Sequence, residues 1–69
     1  MVELVFEVEE AAEGGYLARG VGASIFTEAE TLPQLRENIR DAVACHFEDA
    51  ASRPRMIRLH FTRDEVFAL

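Results

Sequence analysis

The chain has 69 residues, of which 49% are hydrophobic, and thirteen carboxylates against seven cations give it a formal charge of −6. This length holds one domain, spanning 1–69, with a small core, and such cores rarely supply more than about 3–5 kcal/mol of stability. A single cysteine excludes an internal disulfide, and no His and Cys residues have the spacing of metal ligands. We therefore expect the chain to gain stability by association with itself or with another protein.

The excess of carboxylates argues against binding to nucleic acid, because phosphate contacts normally require a basic surface. It suits a basic partner instead, or serves solubility alone. The first ten residues, MVELVFEVEE, lack the cationic start and unbroken apolar run of a secretory signal, and no segment approaches the ~18 apolar residues of a membrane span. The sequence predicts a cytoplasmic protein without a cofactor, direct DNA binding or membrane association.

Three short strands are predicted in the first thirty residues. Residues 2–9 alternate between apolar side chains and mainly acidic ones, which is typical of a strand with one buried face. Gly14 and Gly15 favour a turn, because glycine tolerates positive φ, and residues 16–19 follow as a second strand. A third strand is expected over 24–29, with Ile25 and Phe26 on opposite faces. Tight turns between these strands predict an antiparallel meander.

A helix is predicted to begin after Thr31. Thr31 and Gln34 match a capping box, and Pro33 lies in the first turn, where proline is tolerated. At 100° per residue one apolar stripe forms, and the helix fades near Asp49. The stripe contains Leu32, Leu35, Ile39, Ala42, Val43, His46 and Phe47. His46 is accordingly interpreted as a neutral, packed histidine, and Cys45 as a small residue beside the stripe.

A fourth strand is predicted from the alternation of Ile57, Leu59 and Phe61 with polar residues, and Val66–Leu69 are expected to extend it past a kink at 63–65. The fold class is therefore α+β with the order βββαβ. One helix covers the apolar face, and a crossover makes the fourth strand parallel to the first. We predict that these two strands are neighbours.

This pairing would place Arg58 and His60 on the face that carries Glu3 and Glu7, where opposite charges attract. Glu9 belongs to the same face by alternation. These five residues are the candidate partner-binding surface. No catalytic, cofactor-binding or metal-binding residue is predicted.

Three chemical interpretations compete with this one. Cys45 and His46 suggest a thiol–imidazole pair, but consecutive helix residues point about 100° apart. The carboxylates of the first strand suggest a two-metal nuclease, although the helix would cover the opposite face of the sheet from Glu7. The arginines at 53, 55, 58 and 63 suggest an RNA-binding patch, but aromatic residues that could stack on bases are not interspersed among them. A minimal nuclease or RNA binder therefore stays as a disfavoured alternative.

One longer pattern joins the second strand to the helix. It reads Tyr16-x-Ala18, then Ile25-x-Thr27-Glu28-Ala29-x-Thr31-Leu32-x-x-Leu35-x-x-Asn38-Ile39-x-x-Ala42. In this pattern the chain resembles the N-terminal domain of HicB-type antitoxins, over roughly residues 6–47 and a compatible final strand. Members of that family commonly carry a Pro-Gly pair before the third strand, where this chain has GVGAS. Many members also continue into a DNA-binding tail, which this sequence does not show.

The resemblance implies a partial RNase H-like βββαβ fold without nuclease activity. It also implies a stand-alone antitoxin-type module, forming a homo-oligomer, most simply a dimer, that neutralises a small basic HicA-type mRNA interferase. An acidic sheet face, or the exposed edge of the third strand, would provide the contact surface. The alternative is an orphan structural or regulatory domain that assembles only with itself.

Overall fold

A computed structural model of the chain describes residues 2–69 and shows an α+β fold with four strands and one α-helix. The elements are β1 (Glu3–Glu10), β2 (Tyr16–Gly20), β3 (Phe26–Ala29), α1 (Leu32–His46), a 3₁₀ turn at Ala50–Ser52, and β4 (Met56–Thr62). The strands form one sheet in the order β3-β2-β1-β4, in which β4 is parallel to β1 and the other pairs are antiparallel. The predicted fold class and strand arrangement are confirmed.

The hairpin between β1 and β2 depends on two glycines with positive φ, Gly14 at 99° and Gly15 at 84°. The Gly14 amide donates to the Ala11 carbonyl at 3.0 Å, and the Ala11 amide donates to the Gly15 carbonyl at 2.9 Å. A Cβ atom on Gly15 would lie 2.8 Å from the Ala29 carbonyl oxygen, so this position requires glycine for space as well as for conformation. The turn aligns Glu7 with Arg19 across the two strands.

The third strand begins two residues later than predicted, at Phe26 and not at Ser24. The Ile25 amide donates to the Ala23 carbonyl at 2.9 Å, and the Ile25 carbonyl accepts from the Gly20 amide at 2.8 Å. These bonds turn the chain tightly before it can pair with β2. Ile25 still enters the core and Phe26 is 58% exposed, so the predicted division of these two side chains between the faces is correct.

Helix α1 begins where the capping motif predicts. The Gln34 amide donates to Oγ1 of Thr31 at 3.3 Å. The side chain of Gln34 does not close the reciprocal half of a capping box; its Nε2 donates to Oδ1 of Asn38 at 2.9 Å. Asn38 in turn donates Nδ2–H to the Glu28 carbonyl at 2.9 Å, which ties the helix to β3.

The core lies between the helix and one face of the sheet. Its buried side chains come from β1, β2, the residue before β3, and the helix: Leu4, Phe6, Val8, Ala18, Ile25, Leu35, Ile39 and Val43. The helix packs mainly over β3 and β2. Strand β4 is consequently the least covered part of the apolar face: Ile57 and Leu59 are half-buried, and Phe61 is 51% exposed.

The end of the helix differs from the prediction for His46. His46 is exposed, because Val43 is the last buried residue of α1 and Phe47 packs against the core in its place. The two rings meet edge to face with centroids 4.8 Å apart. Arg53 caps this helix end, where its Nε donates to the Phe47 carbonyl at 2.7 Å and its guanidinium also reaches the Ala44 carbonyl at 3.3 Å.

The segment after β4 also departs from the prediction. Residues 63–69 form neither strand nor helix, and Val66 and Phe67 are 94% and 77% exposed. Nothing within residues 2–69 packs against these apolar side chains to continue the sheet. The expected extension of β4 over Val66–Leu69 is therefore wrong.

Candidate functional site

The face of the sheet opposite the helix is left uncovered by residues 2–69 and forms the candidate site, called here the open face. Alternation along the strands and the registers of the three pairings assign its members. They are Glu3, Val5, Glu7 and Glu9 on β1, Leu17 and Arg19 on β2, Phe26 and Glu28 on β3, and Met56, Arg58, His60 and Thr62 on β4. All five candidate partner-binding residues from the sequence lie on this face.

Glu3 and Arg58 form the closest ion pair of the open face. Nε of Arg58 donates to Oε1 of Glu3 at 2.7 Å, and its terminal nitrogen donates to Oε2 at 3.1 Å. This two-pronged geometry matches a guanidinium to a carboxylate. The hydrogen bond from Arg58 lowers the pKa of Glu3 below its ordinary value of 4.5, and the same bond raises the pKa of Arg58. The predicted attraction between β4 and the β1 carboxylates is confirmed at this pair.

The lowered pKa gives a pH prediction. Because Glu3 is ionised more readily in the folded chain than in the unfolded one, the pair stabilises the fold above pH 4.5, and this contribution fades as the pH falls through the lowered pKa. We expect Arg58→Gln to raise the Glu3 pKa back toward 4.5, measured by NMR titration of the glutamate side chains. An unchanged Glu3 titration in the Arg58→Gln variant would contradict the pairing.

Glu7 lies at the centre of the open face. It is aligned with Arg19 on one neighbouring strand and with His60 on the other, and Phe26 continues this row on β3. Glu9 lies in the next row, aligned with Leu17 and Thr62. Glu7 is therefore flanked by the guanidinium of Arg19 and the imidazole of His60, whereas both neighbours of Glu9 are uncharged.

Sequence reasoning did not include seven of the twelve members of this face among the candidate binding residues: Val5, Leu17, Arg19, Phe26, Glu28, Met56 and Thr62. Phe26 and Met56 are 58% and 60% exposed, and each adds an apolar side chain to the rim of the acidic surface. Their assignment requires the strand registers, and only the opposite placement of Ile25 and Phe26 was visible as a signal in the sequence.

The charge of the open face is mixed with an acidic excess. Its four carboxylates, on Glu3, Glu7, Glu9 and Glu28, stand against two guanidinium groups, on Arg19 and Arg58. Since Arg58 is engaged by Glu3, the unneutralised carboxylates concentrate toward Glu9 and Glu28. Exposed carboxylates bordered by apolar side chains suit recognition of a basic protein surface, which charge steers and apolar contact holds.

The structure shows where the residues of the three competing chemical interpretations lie. Cys45 and His46 are both exposed on the last turn of α1. In the described part of the chain no three His, Cys, Asp or Glu side chains come together as metal ligands. The four arginines of the last seventeen residues are divided among separate locations. Arg53 caps the helix, Arg58 pairs with Glu3, Arg55 lies beside the helix-facing side of β4, and Arg63 follows the end of that strand.

Over residues 2–69 the structure has no helix with the length and hydrophobicity that crossing a bilayer requires.

Comparison with known proteins gives two close relatives. The chain is 39% identical over 67 residues to a UPF0150 protein of Thermotoga maritima, and the alignment covers 97% of this chain and 93% of the relative. It is 49% identical over 53 residues to a UPF0150 protein of Archaeoglobus fulgidus, with 77% of each chain covered. No family model matches the sequence, and no solved structure matches it.

Proposed function

The chain belongs to the UPF0150 family, and from this premise we propose that it is a non-enzymatic, HicB-like antitoxin-type module that binds a small basic protein. In this proposal the partner is an mRNA interferase of the HicA type, and the chain acts in the cytoplasm as a homo-oligomer, most simply a dimer. The observation that carries the proposal is the open face, which keeps an acidic excess and apolar rim residues accessible on a sheet whose other side is packed by α1.

The residues that carry the HicB-like resemblance support the proposal through the scaffold. Thr31 caps the helix, Leu35 and Ile39 fill the core, and Asn38 fastens the helix to the carbonyl of Glu28. The motif thus encodes the junction between β3 and α1, which holds the helix on one side of the sheet. Resemblance in such residues supports a shared scaffold, and the function rests on the surface that the scaffold leaves accessible.

Binding through the open face would neutralise a toxin by occupying it. A protein that cleaves mRNA must present cations to phosphates. The carboxylates of Glu7, Glu9 and Glu28 would compete for those same cations, which speeds encounter and selects for basic partners. The exposed side chain of Phe26 and the half-buried side chain of Leu17 would supply the apolar part of the contact.

The test uses the small basic open reading frame that the proposal expects beside the gene. Expressing that frame alone should arrest bacterial growth, and co-expressing this chain should restore it. Growth restored equally well by an unrelated acidic protein would remove the case for specific recognition, and a genome without such a neighbour would favour the orphan, self-associating alternative. The exposed apolar side chains of Val66, Phe67 and Leu69 are the observation that favours self-association, with or without a toxin.

A further inference from the structure

The last seven residues project from the domain. The described chain measures 52 Å along its longest axis and 19 and 18 Å along the others, and its radius of gyration is 13.5 Å. A compact chain of this length would have a radius of gyration of about 11 Å. Val66 and Phe67, which are almost fully exposed, are preceded by two carboxylates, on Asp64 and Glu65. We call residues 63–69 the tail.

A groove of about 260 Å³ lies between the helix and β4. Its apolar floor includes Ile39, Ile57 and Leu59, and its rim carries three guanidinium groups, on Arg36, Arg40 and Arg55. The groove exists because α1 packs over β3 and β2 and leaves the helix-facing side of β4 partly uncovered. Arg36 and Arg40 are exposed, and Arg40 pairs with Glu37 on the same exposed surface.

The tail and the groove are complementary. The tail offers four apolar side chains, at 66–69, and two carboxylates against the single cation of Arg63, whereas the groove offers an apolar floor and three cations. Burying Val66 and Phe67 would remove apolar surface from water, and the acidic residues before them could reach the arginines at the rim. The two features thus match in hydrophobicity and in the sign of their charge.

The topology separates the tail from the groove of its own chain. The groove lies beside Ile57 and Leu59, near the start of β4, whereas the tail leaves the opposite end after Thr62. Strand β4 is an edge strand with no partner on its outer side within residues 2–69. If two copies meet through β4 in antiparallel orientation about a two-fold axis, the end of each β4 lies beside the start of the other. That arrangement brings each tail to the groove of the second copy.

We infer that two copies of this chain associate through their β4 edges, with the tail of each docked into the α1–β4 groove of the other. This inference rests on the self-association in the proposed function and gives it an interface. It is independent of the toxin, because the groove lies on the helix-facing side of the sheet, and a tail docked there leaves the open face accessible. Two-fold symmetry forms every contact twice, so a short tail contributes doubly to the interface.

Two charge-reversed variants test the exchange. The groove variant carries Arg36→Glu and Arg40→Glu, and the tail variant carries Asp64→Arg and Glu65→Arg. All four positions are exposed, so both variants should fold with the circular dichroism spectrum of the unmodified chain. Analytical ultracentrifugation at micromolar concentration should show the unmodified chain at twice the 7.8 kDa mass of one copy. Each variant alone should dimerise on the order of 100-fold more weakly, since like charges then face each other.

Dimerisation of an equimolar mixture of the two variants is the decisive measurement. In a mixed dimer the acidic tail of the groove variant meets an unmodified basic groove, and the basic tail of the other variant meets the acidic groove, so dimerisation should return. Failure of the mixture to dimerise would overturn reciprocal docking. Variants that dimerise as well as the unmodified chain would overturn the inference and leave self-association through another surface. If the unmodified chain is a monomer, both reciprocal docking and self-association are overturned. The proposed binding of a basic partner would still be tested separately by growth rescue.

Discussion

Leu35→Asp is expected to abolish the folded state of this domain. Leu35 has no exposed surface and lies on the buried stripe of α1, one helical turn before Ile39, which is 1% exposed. An unpaired carboxylate there would lose its hydration without gaining a partner, at a cost of several kcal/mol. A domain of this size rarely has more than about 3–5 kcal/mol of stability in its core, so the cost exceeds what the fold can absorb.

Circular dichroism measures the result directly, because the helical signal should be lost at every temperature. Leu35→Ala, which leaves a cavity but no charge, should cost about 2–5 kcal/mol and lower the melting temperature if the chain still folds. Gln34→Asp is the matched control: it places the same side chain one residue away on an exposed position near the helix N-terminus, and its spectrum should not change. A folded Leu35→Asp variant would mean that the helix faces the sheet with a different side.

Reversing the charges of Glu7 and Glu9 is expected to weaken binding of the basic partner by about 100-fold. Both carboxylates lie on β1 at the middle of the open face, and arginine at these positions would set cations against the cations of the toxin. The change should appear in the dissociation constant measured by isothermal titration calorimetry, and co-expression of the double variant should fail to restore growth.

A matched control for this experiment is available on the opposite surface. Glu37 and Asp41 are exposed carboxylates on α1, away from the open face, and Glu37→Arg with Asp41→Arg makes the same change in net charge. This control should bind with nearly unchanged affinity. Equal losses in both variants would mean that overall charge, and not the open face, determines recognition.

The sequence was sufficient to predict the strand order because several local signals agree. The alternation in β1 and β4 assigns their faces, and the tight turns make the first three strands antiparallel. The pairing of Arg58 with Glu3 then follows from placing β4 next to β1, where the structure has it. These signals are local alternation and charge, which survive small errors in where each element begins or ends.

The predictions from the sequence are wrong at the C-terminal end of α1 and after β4, where tertiary packing decides which side chains are buried. The helical angle of His46 places it on the apolar stripe, but Phe47 packs against the core there and His46 is exposed. Helical periodicity alone does not predict which of two neighbouring residues packs against the core. The apolar residues of 66–69 suggested a strand, yet no partner strand within residues 2–69 is available to pair with them. Their hydrophobicity is explained if their partner is a second copy.

The sequence predicted which residues of β1 and β4 belong to the candidate site, but not which residues are aligned with each other across the strands. Alternation assigned Glu3, Glu7 and Glu9 to the polar face without revealing that Arg19 is aligned with Glu7. That alignment depends on the register set by the turn at Gly14 and Gly15, and a shift by one residue would turn Arg19 toward the helix. The mixed charge of the open face is therefore a property of the register.

The most direct test of the central claim, that the open face is the recognition surface, is a map of amide chemical shifts. The ¹⁵N-labelled chain is titrated with the basic protein encoded beside its gene. Specific binding should perturb the amides of β1, β2 and β3 around Glu7, Glu9 and Arg19, while those of α1 around Glu37 stay in place. Perturbations confined to α1, or an absence of any complex with a protein that is itself folded, would contradict the account.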